Sequence, residues 1–110
     1  MRNSTDFETL EKEISEVLGF CEILTFGIYD TEDNEIQVTV GIPNTEFSMQ
    51  VFFTENGDLI GARENLPSSS ESHLFFRGIL TKCSNNLRIK RFCNRIIEKR
   101  FVTSENFDCF

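Results

Sequence analysis

The apolar positions of this chain change period twice, from helical to strand-like and back to helical. Residues 5–18 place Phe7, Leu10, Ile14 and Val17 at steps of three, four and three, which predicts one stripe of a helix. Thr5 and Glu8 read as an N-cap and capping box, and Gly19 supplies a left-handed stop. The stripe is narrow, and Glu8, Glu11, Glu13 and Glu16 surround it. That pattern matches the seam of a two-stranded coiled coil better than a broad core-facing surface. The expectation is a dimerisation seam of Phe7, Leu10, Ile14 and Val17 that pairs with a helix of another chain.

Alternation with a period of two follows. A strand over 21–29 puts Leu24, Phe26 and Ile28 on one face, and residues 30–34 form a polar turn cluster. Residues 35–42 set Ile36, Val38, Val40 and Ile42 against Glu35, Gln37 and Thr39, and Pro43-Asn44 ends that strand. Residues 45–53 repeat the pattern with Phe47, Met49, Val51 and Phe53 inward. Asn56-Gly57 predicts a two-residue type I′ hairpin, which leads to a short strand over 58–63. Strict alternation in adjacent strands predicts an antiparallel meander with one covered face and one wet face.

A polar, serine-bearing loop (64–72) then returns the chain to helical spacing. Residues 72–83 carry Phe75, Phe76, Ile79, Leu80 and Cys83 on one side, and Ser84-Asn85-Asn86 stops that helix and caps the next. Residues 87–101 show a broad stripe of Ile89, Phe92, Cys93, Ile96, Ile97 and Phe101. The tail has no pattern, although Phe107 and Phe110 are apolar ends able to tuck back. The predicted architecture is α+β, a four-stranded antiparallel meander with helices on one face in the order α-β-β-β-β-α-α. Residues 1–19 form the end of a coiled coil, 20–102 the globular head, and 103–110 a tail.

Composition narrows the class. A chain of 110 residues is one domain, large enough to bury a core without a metal or disulfide. It has no apolar run of membrane-span length, and Met1 opens a polar stretch rather than a signal segment, so the expected setting is intracellular. Twelve Phe against one Tyr and no Trp mean that most of the aromatic area cannot hydrogen-bond. Such area is core material or an apolar docking face.

The net charge of −7 is unevenly placed. Residues 1–81 carry four basic and 15 acidic side chains, whereas residues 82–100 carry seven basic and one acidic. Two readings follow for the last helix. Its cations complement acids of the same fold, or Arg88, Arg91, Arg95 and Lys99 form a basic face that docks an acidic or phosphorylated partner. Nucleic acid is a poor partner for so acidic a domain.

Catalytic and metal motifs give little. Cys21, Cys83, Cys93 and Cys109 lack C-x-x-C spacing and His73 is the one histidine, so no metal site and no cofactor are expected. Buried thiols acting as small hydrophobes are the expectation for the cysteines. His73 with Cys83 is the one base–nucleophile pair to weigh, and Asp30, Glu32 and Glu35 lack the glycine and final Glu of a calcium loop. No catalytic residue is assigned, and the chain reads as a non-enzyme.

The remaining features resemble a known class. Leu18-Gly19-Phe20 stands at the helix-to-strand junction, Phe47-Ser48-Met49-Gln50-Val51 in a strand and Leu66-Pro67 in the loop. Ser84-Asn85-Asn86-Leu87 then leads into a helix with Phe92, Arg95 and Phe101. Over residues 7–102 this resembles the RWD-like heads of kinetochore proteins. It is most similar to the Spc-twenty-five type subunit of the Ndc-eighty complex, with the Csm-type monopolin subunit as the alternative within that class. The resemblance implies a nuclear, non-catalytic head at the kinetochore that pairs with a coiled-coil partner subunit. It also implies docking of a receptor peptide or helix that links chromosomes to spindle microtubules, with neither nucleic acid nor membrane as direct partner. A small acidic dimeric chaperone of the secretion type, binding an unfolded partner segment, is the alternative from a different class.

Overall fold

The computed structural model describes residues 4–19, 21–30, 32–65 and 70–103, with the side chains of all of these except 4–6 and 70–73. Three helices and four strands follow in the order α1 (Ser4–Leu18), β1 (Glu22–Asp30), β2 (Glu35–Gly41), β3 (Ser48–Phe53), β4 (Leu59–Asn65), α2 (Ser70–Cys83) and α3 (Leu87–Lys99). The strands form one sheet in the order β1-β2-β3-β4, with every neighbour antiparallel. This is the predicted α+β architecture, and the element boundaries move by a few residues.

One sheet face carries the core. Ile36, Val38 and Val40 of β2 and Met49, Val51 and Phe53 of β3 are fully withdrawn from solvent. Ile89, Phe92, Cys93 and Ile96 of α3 complete the layer above them, as the broad stripe predicts. An aromatic cluster joins three elements. The Phe26 ring on β1 stacks on Phe7 of α1 at 5.0 Å and on Phe101 at 5.3 Å, and meets Phe92 of α3 edge-on at 5.7 Å. Non-polar rings suit this dry junction, because a tyrosine here would bury a hydroxyl in need of a partner.

Local devices set the element ends. Gly19 (φ +75°) donates its N–H to Ser15 O at 2.8 Å and ends α1. Asn86 caps α3 by accepting from the N–H groups of Arg88 and Ile89 at 2.9 and 3.2 Å. Arg100 turns left-handed, so Phe101 leaves the helix, yet it stays buried. Its carbonyl accepts from Ile28 N–H at 2.7 Å, and residues 101–103 run parallel to β1 beside Gly27.

Two expectations need correction. The hairpin at Asn56-Gly57 is not a two-residue type I′ turn, because only Gly57 has positive φ. Thr54 N–H bonds Asp58 O and Gly57 N–H bonds Thr54 O, which makes a three-residue loop with a left-handed glycine at its end. A Cβ on Gly57 would lie 2.6 Å from Lys90 Cα, so α3 also passes too close for any side chain there. Leu24, expected inward beside Phe26, is 46% exposed. A bulge between Ile23 and Thr25 shifts the register and turns Leu24 to the outer face, while Ile23 packs against the core in its place. Thr5 lies inside α1, and its capping side chain falls outside the described residues, as do Phe20, residues 66–69, Phe107, Cys109 and Phe110.

Candidate interaction surfaces

The helical layer disposes of the expected coiled-coil seam. Leu10 and Ile14 are 1% and 0% exposed within the chain itself, and Leu18 joins them in the core. Phe7 stacks on Phe26, and Val17 packs against the same cluster. The three-four-three spacing therefore closes this chain's own core, and a second helix cannot reach Leu10 or Ile14. A narrow stripe is enough for α1 because it meets the layer beside α3 and α2 over the β1 edge of the sheet. Lys82 of α2 donates to Leu18 O at 3.4 Å, placing a cation at the negative end of α1.

The basic helix is largely answered from within. Arg88 pairs with Glu16 at 2.7 Å and Arg95 with Glu13 at 3.0 Å, joining α3 to α1. Lys90 reaches Asp58 in the hairpin at 3.6 Å, and Arg100 donates to Asn34, whose own amide donates to Glu55. The charge asymmetry along the sequence is thus self-complementation between the two ends of the fold. All four residues read as a docking face are exposed, and Arg88 and Arg95 are paired in this way. Arg91 has no ion pair among the described residues.

Of the groups weighed for chemistry, the buried cysteines and Asp30 are described in place. Burial pushes the Cys83 and Cys93 thiols up to about 12, and Cys21 upward too, which holds all three as neutral, poorly nucleophilic side chains. His73 lies on α2, but its side chain falls outside the described residues. Asp30 accepts from the N–H groups of Glu32 and Asp33 at 3.0 and 3.4 Å, a turn-forming use of its carboxylate. No group of His, Cys, Asp and Glu fit to hold a metal occurs among the described residues.

The outer face of the sheet is the surface the sequence pattern missed. Three irregularities interrupt the ladders, at Leu24 and Tyr29 in β1 and at Ile60 in β4. These side chains are 46%, 58% and 53% exposed. Tyr29 meets Phe52 of β3 edge-on at 5.4 Å, and Leu24 covers Gly41, whose Cβ would stand 3.3 Å from Leu24 Cδ1. Between them runs a cross-strand row of Thr25, Thr39, Gln50 and Arg63, one residue from each strand in register. Thr25 and Gln37 are buried although they point away from the helices. They form a polar network in which Gln37 Nε2 donates to Thr25 Oγ1 at 3.2 Å and to Thr39 Oγ1. A concave space of about 610 Å³ lies over this row, with Leu24 of β1 at one end and Arg63, Glu64 and Asn65 of β4 at the other, so a cation and a carboxylate share its β4 end.

Comparison with known proteins adds no relative: no family model, curated protein or solved structure matches the chain.

Proposed function

We propose that this chain is a non-catalytic protein-interaction head of the kinetochore, docking receptor segments in the assembly that links chromosomes to spindle microtubules. The observation that carries the reading is the element order α-β-β-β-β-α-α around one four-stranded antiparallel sheet in the order β1-β2-β3-β4. That is the layout implied by the RWD-like resemblance. The residues behind the resemblance also support it by the work they do. Gly19 ends α1, Asn86 starts α3, Met49 and Val51 hold the sheet core, and Phe92 and Phe101 join the aromatic cluster.

The proposal keeps a partner subunit but no longer assigns Phe7, Leu10, Ile14 and Val17 to the contact, because α1 belongs to the core of the head. The test is cellular. The chain with a fluorescent tag should appear in dividing cells of its source as foci on the centromeric regions of condensed chromosomes, and its depletion should produce lagging chromosomes. A diffuse signal throughout mitosis, with normal segregation after depletion, overturns the reading.

A further inference from the structure

We propose that Asn56 is a site of non-enzymatic deamidation, and that the 54–58 loop, docked against α3, holds the reaction back until the hairpin tip opens. The inference is independent of the assembly in which the chain works, because the co-reactant is water.

Asn56 is the one asparagine of the chain that glycine follows. With no side chain on that next residue, the main-chain nitrogen of Gly57 meets no steric barrier on its way to the Asn56 carboxamide. The nitrogen attacks Asn56 Cγ. A new C–N bond closes a five-membered succinimide, the Cγ–Nδ2 bond breaks, and ammonia leaves with the proton that Gly57 gives up. Water then opens the ring. Attack at Cγ leaves an aspartyl residue at position 56, whereas attack at the main-chain carbonyl leaves an isoaspartyl residue, whose chain runs through the side-chain carbons. Asn56 itself is exposed, so water and base reach it.

The loop controls the nucleophile. Gly57 is buried, and its N–H donates to Thr54 O at 2.9 Å, so the proton that must leave is held in a hydrogen bond. Thr54 also ties down both flanks. Its Oγ1 accepts from the N–H groups of Asn56 and Asp58 at 3.3 and 3.2 Å, and its own N–H donates to Asp58 O at 2.8 Å. Lys90 fixes the tip from α3, with its Cα 2.6 Å from where a Gly57 Cβ would stand and its ammonium 3.6 Å from Asp58. Succinimide formation therefore requires the tip to come away from α3, a local opening. The products fit the closed loop badly. An isoaspartyl link adds a methylene to the main chain where α3 leaves no room even for a Cβ. Either product also places a carboxylate in the hollow that Glu55 and Glu98 already line, where like charges repel.

The experiment follows the full chain by mass spectrometry over several weeks at mildly alkaline pH with a thiol reductant, beside the same chain in guanidinium chloride. The unfolded chain should deamidate at Asn56 before any other asparagine, and Asn56→Gln should lose that fast phase. In the folded chain the reaction should be slowed by the same factor, within about threefold, as hydrogen exchange of the Gly57 amide, since both need the bond to Thr54 broken. Thr54→Ala removes the acceptor of two loop N–H groups and should speed the folded-state reaction about fivefold. The amide spectrum shows whether that variant folds, and if it does not, the comparison of the two slowing factors decides alone. Equal rates in the folded and unfolded chains, slowing that departs from Gly57 exchange, an unchanged rate in folded Thr54→Ala, or modification led by another asparagine would each overturn the proposal.

Discussion

On the inner face of the sheet, Ile36, Val38, Val40, Met49, Val51 and Phe53 are all sealed from solvent, and no irregularity interrupts the pairing of β2 with β3. On the outer face the same two strands carry Gln37, Thr39, Gln50 and Phe52, and the flanking pairings are broken at Leu24, Tyr29 and Ile60. The inner face follows strict alternation because burying every second side chain under the helices fixes the register. The outer face is under no such constraint, and its apolar area collects where bulges turn side chains around. The difference separates a face whose register burial fixes from a face that tolerates bulges.

The largest effect should come from placing a charge where the account puts core. Ile14→Asp buries a carboxylate at a fully enclosed position of α1, and the expected loss exceeds about 4 kcal/mol, enough to abolish a cooperative urea transition. A variant that folds normally but no longer self-associates would return α1 to the role of an interchain seam. Neighbouring residues on the two faces give the next contrast. Met49→Ala should cost about 2–5 kcal/mol in urea unfolding, because it empties a fully buried site. Its neighbour on the opposite face, Gln50→Ala, should stay within about 0.5 kcal/mol. Equal losses from the pair would erase the distinction between faces.

Between those two in size lies a dependence on pH. Burial raises the Cys83 and Cys93 thiols from 9.0 to about 12 in the folded chain. Above pH 9 the unfolded chain releases thiol protons that the folded chain keeps, so stability present below pH 9 is lost as pH rises towards 12. The slope is up to about 1.4 kcal/mol per pH unit for each thiol, measurable as a falling urea midpoint from pH 8 to pH 10. Replacing Cys93 with Ala should flatten that slope, and an unchanged slope would show that the thiols are not its source.

Much of the fold was legible because periodicity and end signals agreed. Gly19, Asn86 and the alternation through Ile36–Val40 and Met49–Phe53 each did what local chemistry predicts. The role of α1 was not legible. Phe7, Leu10, Ile14 and Val17 have the same spacing whether they face a second helix or the core of their own chain, and only tertiary packing chooses between the two. The outer surface escaped for a different reason. Its bulges fall at doubled apolar pairs, Ile23-Leu24, Ile28-Tyr29 and Leu59-Ile60, where alternation fails. Those pairs were the available signal, since two adjacent apolar residues cannot both face inward from a regular strand. The charge split was legible as complementation, but the pairing of Glu13 with Arg95 and Glu16 with Arg88 depends on α1 lying beside α3.

The central claim is that α1 is part of this chain's own core, and amide hydrogen exchange tests it most directly. The amides of Leu10–Leu18 should be protected to a degree comparable with Val38 and Val40 of β2, unchanged from low micromolar to several hundred micromolar protein. Exchange in α1 orders of magnitude faster than in β2, or protection that rises with protein concentration, would mean that the helix finds its partner in another molecule.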